Sequence, residues 1–174
     1  ELDDSPKVIL FLGSNIGNFT PDRAQSFFEK LNKVMRPGDK LLSGIDLKKK
    51  PHTILQAYND PAGITRSFNM NLLERMNREL GANFVIEDWD HFPTYDPFTG
   101  ECRSYLMSCK KQDVTIKATG HTYSFRDSEP VHMEISRKYR LDEIEDLANK
   151  TGFKVSQHFT DSRNYFVDSL WNKQ

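Results

Sequence analysis

The chain lacks most of the features that announce a specialised class. Two cysteines among 174 residues are too few for a disulfide framework. Cys102 and Cys109 stand seven apart in a segment that reads as strand. An odd offset puts them on opposite faces, so no bridge is expected and both thiols should be reduced, in the cytoplasm. The five histidines (His52, His91, His121, His132, His158) show no close pairing and no Cys-x-x-Cys companion, which argues against zinc. Net charge is −1, from 24 basic and 25 acidic residues, so no global field draws the chain to nucleic acid or an anionic membrane. No apolar stretch reaches the length of a membrane span, and nothing resembles a signal peptide. Repeats, low-complexity tracts and linkers are also missing. So is a Gly-x-Gly loop after a first strand, together with an acidic ribose partner. A nucleotide-like cofactor would therefore find its main contacts upstream of Glu1.

What is there begins with alternation of strand and helix. Val8-Ile9-Leu10-Phe11-Leu12 is a continuous apolar run, the pattern of a strand covered on both faces. Thr20-Pro21-Asp22 predicts a helix start, with Thr20 as N-cap and Pro21 at the first helical position. Ala24, Phe27, Phe28, Leu31, Val34 and Met35 make one stripe at helical spacing, and Pro37-Gly38 ends it. Lys40 to Asp46 follows as a second strand, predicted parallel to the first through a right-handed crossover. Lys48-Lys49-Lys50, before Pro51, reads as a solvated loop.

From Thr53 to Leu80 the pattern is helical, broken near Asp60-Pro61. Phe68, Leu72, Met76 and Leu80 share a face, and Gly81 caps the end. Phe84 to Tyr139 reads as short strands and turns, with Asp96-Pro97-Phe98-Thr99-Gly100 a strong breaker. Leu141, Ile144, Leu147 and Ala148 predict a short amphipathic helix stopped by Gly152. Two strands, near Phe153–Thr160 and Tyr165–Trp171, should pair across Asp161–Asn164. The fold class is α/β. Residues 1–50 read as partial core, 51–138 as an inserted α+β subdomain and 139–174 as a return to the core. The small sheet leaves an open edge, as the second half of a larger domain would.

The loop Leu12-Gly13-Ser14-Asn15-Ile16-Gly17-Asn18 follows the first strand, where open α/β sheets bind ligands. Gly17-Asn18 reads either as a plain turn or as a place where a small molecule meets backbone. Asn18 is the candidate side chain, since one amide both donates and accepts. Asp46 closes a strand, where ligand contact and a loop role are both open. Asp60 reads as a helix cap, Glu87-Asp88-Asp90 as a solvated edge, and Trp89, Trp171 and Phe27-Phe28 as packing.

Phe-Leu-Gly-Ser-Asn-Ile-Gly-Asn-Phe-Thr-Pro (11–21), Gly-Ile-Asp-Leu-Lys-Lys (44–49), Ala-Tyr-Asn-Asp-Pro-Ala-Gly-Ile-Thr (57–65), Phe-Asn-Met-Asn-Leu-Leu (68–73), Asn-Arg-Glu-Leu-Gly-Ala (77–82) and Glu-Ile-Ser-Arg-Lys-Tyr (134–139) occur here in one order. In this the chain resembles the C-terminal half of the histidine-specific, S-adenosylmethionine-dependent methyltransferases of ergothioneine biosynthesis. The resemblance implies part of a Rossmann-like sheet carrying a substrate-binding subdomain (51–138). It implies stepwise methylation of the α-amine of histidine to the trimethylated betaine. Asn18 and Tyr58 would hold the backbone end of the amino acid, and Glu134 and Ser136 the imidazole. S-adenosylmethionine would be held mainly by the N-terminal half of the same protein, with Gly13 a minor contact. The chain alone would be inactive.

Many members carry an Arg-Ile-Glu-Met run where Glu101-Cys102-Arg103-Ser104 stands here, so Ser104 replaces a Met that lines the imidazole pocket. That opens a second reading, another amino acid or small amine as substrate. A third is a non-catalytic binding module. Glu134 and Ser136, two apart on a strand, would face the same side. A carboxylate and a hydroxyl can together bond both ring nitrogens. The alternative for Glu134 is a surface pair with Arg137 or Lys138.

Overall fold

An apolar strand, a glycine-bearing turn and an amphipathic helix open the computed structural model, which describes residues 5–174. The elements run β1 (Val8–Phe11), α1 (Pro21–Val34), β2 (Lys40–Asp46), α2 (Pro51–Tyr58), α3 (Ile64–Leu80), β3 (Trp89–Asp96), β4 (Glu101–Ser108), β5 (Gln112–Ile116), β6 (His121–Phe125), β7 (Pro130–Arg137), α4 (Leu141–Lys150), β8 (Phe153–Thr160) and β9 (Phe166–Lys173). Two compact units emerge. One comprises the residues up to Lys49, Asp96–Glu101 and Ile135–Gln174; the other comprises Lys50–Tyr95 and Cys102–Glu134. Residues 96–101 and 135–138 thus group with the first unit, whereas the sequence pattern assigns them to the insertion. Hydrogen bonds account for the difference: Lys138 N donates to Gly100 O at 2.8 Å, and the Lys48 side chain donates through Nζ to Phe98 O at 3.1 Å.

In the first unit the strand order is β1-β2-β9-β8. β1 and β2 are parallel, and the β2–β9 and β8–β9 pairs are antiparallel, as the turn at Asp161–Asn164 demands. Asp161 fixes that turn, its carboxylate accepting the N–H groups of Arg163, Tyr165 and Phe166. Ala24 and Phe28 of α1 and Ile144 and Ala148 of α4 join Leu41, Ile45, Phe153, Val167 and Trp171 in one core. Phe28 lies 4.9 Å from Trp171 and 5.2 Å from Phe27, centroid to centroid. Such aromatic pairs add to the burial of their area.

One expectation fails here, and another holds without its usual bond. Ile9 and Phe11 pack on the core, but Val8, Leu10 and Leu12 are 57%, 62% and 41% exposed, so β1 is covered on one face only within this chain. Thr20 stands at the N-cap of α1 without a side-chain cap bond; only its carbonyl engages, accepting from Ala24 N at 2.9 Å.

The second unit is built on antiparallel β5–β6 pairing, a three-stranded sheet in the order β3-β4-β7, and α3. Met70, Leu73, Trp89, Leu106 and Val114 form its core, with Phe84 and Phe125 edge-on to Trp89. Asp60 caps α3, its carboxylate accepting from Ile64 N at 2.9 Å and Thr65 N at 2.8 Å. These bonds hold the Asp60 carboxyl below the usual range. Gly81, at φ 62°, ends α3 in the left-handed conformation that glycine adopts without strain. The apolar face Phe68-Leu72-Met76-Leu80 is not core: Phe68 is 72% exposed, whereas Asn69, Met70 and Leu73 are buried. Cys102 is buried, Cys109 is exposed, and both are free thiols. Among the described residues no helix is long and apolar enough to cross a membrane.

Phe28 is fully buried and Val34, on the same helix, is 77% exposed. Phe28→Ala is expected to lower unfolding stability by about 3–5 kcal/mol, and Val34→Ala by less than about 0.5 kcal/mol, in urea titrations followed by circular dichroism.

Candidate functional site

The turn after β1 is built by backbone constraints. Gly13 (φ 76°) and Ser14 (φ 57°) adopt the left-handed region in succession. Ser14 N donates to Gly44 O at 3.1 Å, and Ser14 Oγ accepts from Asp46 N at 3.0 Å, so the turn is laced to β2. A short 3₁₀ turn, Asn15–Asn18, follows. Gly17 is buried in it, and a Cβ there would lie 2.9 Å from Arg137 O, 3.3 Å from Arg137 N and 3.4 Å from Ser136 Oγ. Only glycine lets the turn come this close to the end of β7. The turn thereby sets Asn18 down one residue from that contact. Asn18 is exposed, and its amide makes no hydrogen bond among the described residues.

Ser136 is half-buried. Its Oγ accepts from Lys138 Nζ at 2.8 Å, which leaves its own O–H to donate. Lys138 is 3% exposed and pairs with Asp46 at 2.9 Å. Asp46 also pairs with Lys49, and Lys48 pairs with Glu143 at 3.1 Å. Two of the three lysines of the expected solvated loop are therefore tied into the unit. Asp46 has a structural duty, and its strand-end position was the only sign of it. Lys138 was missed altogether as the neighbour of Ser136, although the two alternate on the same face of an extended segment.

In the second unit, Glu134 is half-buried on β7. Ser104 on β4 is fully buried and donates to Glu134 Oε1 in a long bond of 3.4 Å. Ser104 orients the carboxylate and does not itself line the adjoining cavity. That cavity, about 250 Å³, is walled by Phe68, Asn69, Asn71, Leu72, Arg75, Met133 and Glu134. Phe68 and Leu72 thus expose their apolar face to a cavity. Arg75 is held by Glu79 at 3.2 Å. The surface pairing weighed for Glu134 does not occur, because Arg137 pairs with Glu143 and Lys138 with Asp46. Tyr58 closes α2, half-buried, and is not among the residues lining this cavity.

The structure therefore brings Asn18's turn to Ser136 in one unit and Ser104 to Glu134 in the other. Gly13 is exposed, and its glycine serves the left-handed turn. Among the described residues no group of three or more His, Cys, Asp or Glu is placed to hold a metal ion. One further pair has no local signal in the chain: buried His91 on β3 lies 3.4 Å from buried Asn69 on α3.

Gly17→Ala drives a Cβ into backbone that cannot swing aside. It is expected to cost about 1–3 kcal/mol of stability, read as a lowered urea midpoint with unchanged slope.

Comparison with known proteins shows the family. The family described as histidine-specific methyltransferase, SAM-dependent, matches residues 1–173. A histidine N-alpha-methyltransferase of Mycobacterium tuberculosis is 35% identical over 164 residues, covering 94% of this chain and 51% of that protein. Ergothioneine biosynthesis protein 1 of Schizosaccharomyces pombe is 32% identical over 148 residues, covering 84% of this chain and 19% of that protein. The chain thus spans about half the length of the bacterial relative. In fold it is similar to the CcbJ methyltransferase of Streptomyces caelestis, with a TM-score of 0.50 at 11% identity, over 100% of this chain and 64% of that one. With an α/β sheet of Rossmann-like methyltransferase type and a family match along almost its whole length, the chain belongs to the histidine-specific, S-adenosylmethionine-dependent methyltransferases.

Proposed function

We propose that this chain supplies the amino-acid-binding part of an enzyme that methylates the α-amine of histidine, stepwise to the trimethylated betaine. The observation that carries this reading is the Glu134 carboxylate, set by buried Ser104 in the wall of a cavity. A carboxylate so placed suits an imidazole, whose protonated form it stabilises. Ser136, whose Oγ keeps a second lone pair besides the one that takes Lys138 Nζ, suits the N–H of the second ring nitrogen. Asn18 and Tyr58 take the backbone end of the amino acid: the amide binds carboxylate or amine without bringing charge, and the phenol adds an aromatic face for a methylated ammonium.

Methyl transfer to nitrogen is a displacement in which the protein contributes orientation and exclusion of water. The nucleophile is the neutral amine. Asn18 and Tyr58 carry no charge that would hold the amine protonated, so no strong base is needed beside it. The methyl donor of the family is S-adenosylmethionine. Of the described residues only Gly13, in an exposed turn after β1, is assigned to it, as a minor contact. We infer that the N-terminal half of the same protein holds the donor.

The test uses the complete protein that contains this chain, incubated with S-adenosylmethionine and a panel of histidine, tryptophan, tyrosine and agmatine. Mass spectrometry is expected to show mono-, di- and trimethylhistidine. Methylation of another panel member in preference to histidine would move the reading to that substrate, the outcome that Ser104 in place of Met would favour. No methylated product would leave the binding-module reading. Glu134→Gln is expected to weaken histidine binding roughly tenfold or more, and Ser104→Ala by about 2–10-fold, in calorimetric titrations.

A further inference from the structure

Asn69 and His91 are 4% and 7% exposed, and both are polar. Asn69 Nδ2 donates to Thr65 O at 3.1 Å and lies 3.4 Å from His91 Nε2. The backbone carbonyl fixes which way the amide lies, since turning it over would set Oδ1 against another acceptor. An amide nitrogen offers two hydrogens and no lone pair. With one hydrogen on Thr65 O, the other faces His91 Nε2, which must accept it. His91 is then neutral, with its proton on Nδ1.

The surroundings agree. Burial is the largest influence and pushes the His91 pKa below 6.5. Asp90 on its own strand, Glu134 on β7 and Asp60 before α3 oppose this, and Arg66 on α3 adds to it. Asp90 is itself paired with Arg66 at 3.0 Å. Once both amide hydrogens are used, Oδ1 remains, and it takes no hydrogen bond among the described residues. Asn69 lines the same cavity as Glu134.

We infer that Asn69 is a specificity-determining residue that offers Oδ1 to the occupant of this cavity as an acceptor beside Glu134, sharing the second ring N–H with Ser136, and that His91 is the positioning residue that holds the amide in this orientation. The inference rests on the reading of the Glu134 cavity as the place of the substrate side chain. Two acceptors select a side chain with two N–H donors, as a protonated imidazole has. They disfavour an apolar ring of equal size, which would leave Oδ1 buried and unpaired.

The test has two parts. Long-range ¹H–¹⁵N spectra of this chain are expected to show His91 as the neutral Nδ1–H tautomer at pH 7, with protonation only at a pH below 6.5. An Nε2–H tautomer, or a charged ring at pH 7, overturns the positioning role. In the complete protein, Asn69→Leu is expected to weaken histidine binding about tenfold, the loss of a hydrogen bond to a charged group. His91→Leu should match that loss. His91→Gln, whose Oε1 can accept from Asn69, should restore binding to within about twofold of wild type. A failure of His91→Leu to fold leaves the Gln and Asn69 variants to decide. Should Glu134→Gln weaken binding while Asn69→Leu leaves it unchanged, the inference fails and the cavity reading stands. Should Glu134→Gln itself change nothing, the cavity reading fails first.

Discussion

An ammonium group is costly to bury unless an anion stands beside it. Lys138 meets that demand with Asp46, at 2.9 Å, and much of the first unit is arranged around the pair. Asp46 ends β2, and its N–H bonds Ser14 Oγ in the turn after β1. Lys138 follows β7, donates to Ser136 and takes Gly100 O on its own N–H. The turn that carries Asn18 is therefore fixed from one side by Asp46 N–H and from the other by the Gly17–Arg137 approach. Removing Asp46 would take away the anion beside the buried Lys138 ammonium, whereas removing Lys138 would leave Asp46 with Lys49. The ion pair is best understood as a fixture for geometry, since pairs of this kind add little net stability over an apolar substitute.

Much of this architecture was readable in the chain, and the failures share a cause. Period and punctuation revealed the parallel pair β1–β2, the helices α1 and α4, and the hairpin β8–β9. Thr53–Leu80 was correctly seen as helix with a break, which Asp60 resolves by capping α3 at Ile64. Periodicity states which side chains share a face, but not what covers it. Hence β1 was expected to be covered twice and is covered once, and the stripe Phe68-Leu72-Met76-Leu80 was placed on one face without sign that it borders cavities. The lysine run misled for a related reason: charge in a loop signals solvent unless anions lie close in space, and Glu143 is 95 residues from Lys48.

The site was legible only in part. Asn18, Tyr58, Glu134 and Ser136 stood out through resemblance, and local pattern alone left each open. Ser104 drew notice as a departure, yet its role is the opposite of a missing wall: a small hydroxyl at a fully buried place can donate to Glu134, which a thioether cannot do. His91 and Asn69 were invisible because their pairing spans 22 residues and each alone is unremarkable. Buried polar networks of this sort depend on every member being satisfied, and that is a property of the folded chain.

A methyl acceptor nitrogen must lose its proton, so charge near it has to be rationed. The proposed arrangement does this by position. The groups assigned to the amino-acid end, Asn18 and Tyr58, are neutral. The carboxylate assigned to the side chain, Glu134, would stabilise a cationic imidazole and not the ammonium form of the amine. Lys138, the cation next to Ser136, is neutralised by Asp46 before any ligand arrives. In the proposed arrangement His91, facing the Asn69 amide through Nε2 with its pKa lowered by burial, orients that amide without adding charge. On that proposal, selectivity for the side chain and reactivity at the amine would be set by different residues, and a change at Glu134, Ser104 or Asn69 would leave the conditions for proton loss at the amine intact.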